Sequence, residues 1–272
     1  MLQNVLNDIQ LYRRFIAIQI RAQAQYKVNL AIDIGTYLAV TSLEFTALFI
    51  FFGSFHSLLG WRIGEVALLY ALTGICFGLA EMVGAGIDEF SETIRRGEFD
   101  RVLLRPVGVF TQVIGSNFRL RRLGRITQGC LGVFIALHLL PGLHWSTLKV
   151  TVLLLGLFSG ATIFVAIMLL GAMLCFWTIE TTELINILTF GAREFLGYPI
   201  TIYHQVLQSF FLFVVPLAFG TYLPTCFLLD RAFPFGLPQA LVFAAPAMAL
   251  TFILVAASLW RVGVRRYQST GS

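Results

Sequence analysis

The sequence predicts an all-α polytopic membrane protein with about six transmembrane helices, both termini cytoplasmic and an N-terminal amphipathic interfacial helix. Three observations carry this. The 272 residues are 58% hydrophobic and only 12% charged, with a mean hydropathy of +0.83, whereas a soluble domain carries about 25% charge. The apolar residues fall in blocks of roughly 20, the length that crosses a hydrocarbon core of about 30 Å. The basic residues cluster between those blocks. An ordinary soluble enzyme, a nucleic-acid binder and a disordered chain are thereby excluded.

In residues 1–27, Leu2, Val5, Leu6, Ile9, Tyr12, Ile16 and Ile20 recur at helical spacing, with Asp8, Arg13, Arg14 and Arg21 among the polar positions. Such a segment lies in the membrane interface with its bases towards anionic headgroups; the alternative is a cytoplasmic extension of the first span. A single transmembrane domain follows over residues 28–260, with spans at 28–53, 63–86, 124–140, 150–177, 204–222 and 238–260. Only helices satisfy the backbone in lipid for blocks of this kind. Residues 87–123 form the longest cytoplasmic stretch and 261–272 a cytoplasmic tail. An even number of spans puts both ends on one side. With that side inside, sixteen bases are cytoplasmic (Arg13, Arg14, Arg21, Lys27, the eight from Arg95 to Arg125, Arg193, Arg261, Arg265 and Arg266) against three outside (Arg62, Lys149 and Arg231). This asymmetry sets the orientation.

Cys76, Cys130, Cys175 and Cys226 show no CxxC spacing and read as small buried hydrophobes. The pairs Gly74/Gly78 and Gly156/Gly160 let helix backbones approach closely. The polar start shows no signal-peptide pattern. No phosphate-cradling P-loop is present, because the only two lysines, Lys27 and Lys149, follow Tyr26 and Leu148 rather than glycine. No HExxH, GxSxG or zinc-like spacing occurs. His56, His138 and His144 are scattered near span ends, so no metal site is expected. The chain is read as non-catalytic.

Acidic residues within a membrane are costly and therefore informative. Glu44 lies inside the first span and Glu81 in the inner half of the second. They read either as lining a substrate path or, for Glu44, as a structural hydrogen bond to a neighbouring helix. Glu180 and Glu183 share one helix face at the inner end of the fourth span, where pairing with loop arginines accounts for them. In the second cytoplasmic stretch, helix-favouring residues run to Arg96, Gly97 supplies a left-handed stop, and a second short helix runs to Pro106. Phe99, Val102, Leu103 and Leu104 place apolar surface among charges, the mark of a protein contact, or of a loop helix lying on the membrane face.

The run Ile94-Arg-Arg-Gly-Glu-Phe-Asp-Arg-Val-Leu-Leu-Arg-Pro106 resembles the IRxGxxDxxLLxP signature of a bacterial branch of ABC-2-type permeases, the membrane subunits of type-2 ABC exporters. Tyr198-Pro-Ile-Thr-Ile-Tyr203 and Val215-Pro-Leu-Ala-Phe-Gly-Thr-Tyr-Leu-Pro224 are similar to that branch's fifth-span region. One departure is Asp230, where relatives often carry glycine. The resemblance implies a multi-pass protein of the bacterial inner membrane. It also implies export with a separate ABC ATPase dimer, which binds the ATP and Mg, and with a second permease chain, identical or homologous. The resemblance says nothing of the cargo; it is the 26 phenylalanines that suggest a hydrophobic or amphipathic substrate. The resemblance further implies that Ile94, Arg95, Arg96, Gly97, Phe99, Asp100, Leu103, Leu104, Arg105 and Pro106 couple to the ATPase. In that role Arg95, Arg96 and Asp100 would pair with its charges while Phe99 and Leu103 fill an apolar notch. A second coupling loop is expected from Glu183 to Arg193. The competing expectation is an ion-gradient-driven secondary transporter using Glu44 and Glu81.

Overall fold

Among the described residues every regular element is helical, apart from one isolated bridge between Leu58 and Trp61. The computed structural model describes residues 2–54, 57–178 and 182–268, and the side chains of 8–53, 57–178 and 186–268. His56 and Glu180 lie outside the described residues, as does the side chain of Glu183.

Helix α1 (Leu2–Gln25) gives way at Tyr26 to α2 (Lys27–Ser54). Helix α3 (Ile63–Val83) returns antiparallel to it, with 16 of its 21 residues buried. The short helices α4 (Ala85–Asp88), α5 (Phe90–Arg95), α6 (Phe99–Leu103) and α7 (Val109–Gly115) form a folded segment at one end of the bundle. Arginines concentrate there, and it is called the basic end below. Helices α8 (Leu123–His138) and α9 (Thr147–Leu174) each pack on α3. Helix α10 (Thr182–Leu196) follows. Next come α11 (Gln205–Ser209), a π-helical turn Phe210–Val214, a 3-10 turn Pro216–Phe219 and α12 (Tyr222–Leu228). Helix α13 (Ala245–Arg266) closes the bundle against α9.

Four described helical stretches are long and apolar enough to cross a membrane, and five if one bent pair counts as a span. Two of the expected spans therefore differ. Helix α8 has 16 residues, about 24 Å at 1.5 Å per residue, short of a hydrocarbon core. The expected fifth span, 204–222, is not one helix: Gln205–Val214 and Pro216–Leu228 meet at 73°. The cause is local. Pro216 has no amide hydrogen and forces Val215 into an extended conformation (φ −116°, ψ 90°), as a residue before proline prefers.

Both ends of this bent hairpin lie away from the basic end. Thr201, just before it, is hydrogen bonded to Tyr222. Asp230, just after it, accepts from Lys149 Nζ at 2.7 Å near the start of α9. Between them the chain dips to the middle of α9, where Gly220 meets Gly160. A Cβ on Gly220 would stand 2.2 Å from the Gly160 Cα, so neither position tolerates a side chain without displacement. Asp230 itself has φ 54°, the left-handed region where glycine is easiest and aspartate tolerable. That is the physical content of the departure at this position.

At the same end, Arg231 bonds both carboxylate oxygens of Glu65 (3.0 and 2.7 Å) and lies over Trp61 at 4.4 Å. Helix α1 docks on α7: the Gln19 side chain donates to the Ser116 carbonyl at 2.8 Å, and Gln23 accepts from the Leu120 amide at 3.0 Å.

Candidate functional site

Sequence around Gly97 dictates the shape of the basic end. Helix α5 stops at Arg95, Gly97 adopts φ 68°, and α6 begins at Phe99. This turn lets the two short helices fold together, so Phe90 and Phe99 meet edge-to-face at 5.2 Å. Phe176, after α9, lies 5.3 Å from Phe90 and 5.6 Å from Phe99. Trp260 lies 4.7 Å from Phe90 and Tyr267 4.8 Å from Phe99. Such tilted aromatic pairs add to the area they bury. The result is a knot of rings joining the loop to the basic ends of α9 and α13. Gln112 secures the other side, donating to the carbonyls of Val102 at 3.0 Å and Val107 at 2.9 Å.

The outer face of the segment is the opposite in character. Leu104 is 85% exposed and Leu103 41%. Arg95 and Arg96 both pair with Glu92 yet stay about two-thirds exposed. Hydrogen bonds from those two arginines hold the Glu92 carboxyl below its ordinary value. Arg101, Arg105 and Pro106 are exposed as well. Arg119 ties this segment to the bundle through Asp88 at 3.1 Å and Glu89 at 2.6 Å.

Two ionic clusters sit deeper. Glu81 of α3 meets Arg122 Nη2 at 2.8 Å and Arg125 Nε at 3.4 Å, with all three side chains under a tenth exposed. Arg122 lies over Tyr37 at 4.6 Å and Arg125 over Phe77 at 5.0 Å. In the second cluster Arg193 of α10 bonds Glu44 of α2 through Nη2 and Glu194 through Nη1, each at 2.5 Å. Its Nη2 also donates to the Tyr70 hydroxyl at 2.8 Å. Here only the arginine is buried: Glu44 is 36% and Glu194 56% exposed. No cluster of three or more metal-ligating side chains occurs among the described residues.

A family model described as "ABC-2 family transporter protein" matches residues 38–271. The chain belongs to the ABC-2 transporter family. No curated protein and no solved structure matches it. This ABC-2 protein is a multi-pass membrane protein and a component of membrane transport.

Three expected site residues take other positions than the sequence implied. Phe99 is fully buried in the aromatic knot, so its ring is not offered to a partner; Leu103 and above all Leu104 are the exposed apolar side chains of the segment. Asp100 lies beside Tyr267. Arg193 is 5% exposed and paired with Glu44 and Tyr70, so it belongs to the interior of this ABC-2 chain rather than to a second surface loop. Glu44 and Glu81 are both paired with arginines, Glu44 with Arg193 and Glu81 with Arg122 and Arg125. Sequence reading missed Glu194, Gln112, Phe176 and Tyr267. Glu194 had a readable signal: it adjoins Arg193 and falls within reach of a membrane helix. The other three are ordinary until the chain folds.

Proposed function

We propose that this chain is the permease subunit of an ATP-driven exporter, with the 88–106 segment as the face on which the ATPase subunit docks. The observation that carries the proposal is the two-sidedness of that segment. Its inner face is keyed into α9 and α13 by Phe90 and Phe99, while Leu103, Leu104 and four arginines stand outward. Exposed apolar residues rimmed by charge are the usual signature of a protein contact. A push on Leu104 is passed through packed rings to two membrane helices, because close-packed interiors transmit displacement.

The arginine asymmetry, recounted without Arg193, still favours the basic end as cytoplasmic. The bacterial inner membrane follows from the family branch that the loop signature resembles. In that orientation α8 and α10, though each is shorter than a hydrocarbon core, make the third and fifth crossings, and 205–228 is a re-entrant hairpin entering from outside. Carboxylates such as Glu44 and Glu194 do not face hydrocarbon. The exposed side of α2 and α10 therefore faces a second permease chain, and the path for a hydrophobic or amphipathic substrate runs between the copies.

Co-expression with an ATP-binding-cassette subunit encoded beside it tests the reading. A stable complex is expected, with ATP hydrolysis raised by the permease and lost in Leu104→Asp. Transport or ATP hydrolysis by this chain alone in liposomes would overturn it.

A further inference from the structure

A cavity of about 420 Å³ opens beside α10, within the size range of small-molecule sites. Leu170 of α9, Ala192 and Phe195 of α10, Leu207 and Phe211 of the hairpin and Phe252 of α13 contribute its walls, and every lining residue is apolar or glycine. Apolar walls alone name no occupant. Charge at the rim does. Ile187 and Gly191 line the cavity on one edge of α10, and Glu194 stands one turn beyond them on that same exposed edge.

One guanidinium, Arg193, serves two carboxylates there, so the cluster carries one uncompensated negative charge. Glu194 is already bonded to Arg193 and still 56% exposed. A net charge at membrane depth is expensive, and a cation in the cavity mouth removes it. The nearest rings suit the same guest. Phe195 stacks between Tyr203 at 3.7 Å and Phe211 at 4.4 Å, which makes a stiff aromatic wall for the guest's apolar body.

We propose that this cavity binds an amphipathic organic cation, its apolar body against Phe195, Phe211 and Leu207 and its charged head at Glu194. The inference deepens the export reading, on which it rests for the word substrate, by naming a substrate class. A neutral apolar guest leaves the excess charge in place, and an anion is repelled by it.

The test uses the full chain in phosphatidylcholine nanodiscs without nucleotide. The probes are a fluorescent N-alkyl styrylpyridinium dye and its uncharged styrylpyridine parent. The cation is expected to bind at least tenfold more tightly than the parent. Glu194→Gln should erase most of that difference and Glu194→Asp should keep it. Gly191→Trp should weaken both dyes at least tenfold. A Cβ at Gly191 meets nothing within 4 Å, so this variant fills the mouth without breaking the fold; melting and size-exclusion profiles check that for every variant. Equal affinities in the wild type, or a cation preference that survives Glu194→Gln, overturn the proposal. Binding untouched by Gly191→Trp also overturns it, since the dye is then dissolved in lipid. Nucleotide is absent throughout, so a chain that binds the dye but activates no ATPase would refute the export reading and leave this site standing.

Discussion

The two ionic clusters inside the bundle use the same residue types in opposite proportion. Towards the basic end one carboxylate, Glu81, sits between two arginines, and all three side chains are sealed. Deeper in the bundle one arginine, Arg193, sits between two carboxylates that remain open to the surroundings. A sealed cluster has nothing to meet, and its function is to hold: Glu81 fixes α3 to the start of α8. An open cluster in a membrane protein has to be covered by something polar, so the Arg193 cluster marks where another molecule comes.

That contrast is sharpest for charge removal. Glu81→Gln leaves Arg122 and Arg125 buried without a counter-charge, and breaking a buried pair costs about 3–5 kcal/mol. Poor membrane yield and early aggregation on heating in detergent are the expected results. Glu194→Gln removes a half-exposed partner, for which about 1 kcal/mol or less is expected, with an unchanged melting profile. Equal losses in the two variants would break the distinction between sealed and open clusters.

The same distinction recurs within the 88–106 segment. Phe99→Ala empties a site in the aromatic knot, and truncations of buried phenylalanine cost about 3–5 kcal/mol. The lower end of that range is expected here, because the knot lies at one end of the bundle. Leu104→Asp is expected to leave the melting temperature in place and to abolish ATPase binding. Loss of stability in Leu104→Asp, with Phe99→Ala untouched, would reverse the assignment of the two faces.

Much of this architecture is legible in the sequence, because the bilayer imposes long apolar runs and the arginines fall between them. The stop at Gly97 is legible for a similar reason, since a left-handed residue between two helical runs leaves few options. The fifth crossing is not. Residues 204–222 are apolar enough to span, and composition says nothing of the 73° bend that Pro216 produces. Arg193 misleads in the opposite direction: a charge reads as surface until Glu44 and Tyr70, 149 and 123 residues away in sequence, come to meet it. Phe99 shows the limit of motif reading, since the signature marks the residue while only packing reveals which way it faces.

A third test leaves charge aside and concerns the hairpin that borders the cavity. Gly160→Val puts two methyl groups where Gly220 and Cys76 already touch, and overpacking of this kind costs about 1–3 kcal/mol. Displacement of the hairpin should also weaken dye binding at Phe211 while sparing ATPase docking at the other end. Joint loss of both would show that the two ends are less independent than the clusters imply.

The smallest effect concerns charges at the water edge, between the sealed and open extremes. Burial works to raise the Glu89 carboxyl. Hydrogen bonds from Arg119 and Asn117 outweigh it, and the pKa falls below its ordinary 4.5. A carboxyl lowered by folding contributes stability that is complete above its unfolded value and is lost as pH falls through the folded one. Glu89 is half exposed, so screening keeps the contribution below about 1 kcal/mol. Wild type should therefore melt slightly above Glu89→Gln at neutral pH, and the gap should close under acid conditions, below the ordinary carboxylate range. A gap that persists in acid would mean that Glu89 acts through shape, and the contrast drawn from charge would not extend to the basic end's surface.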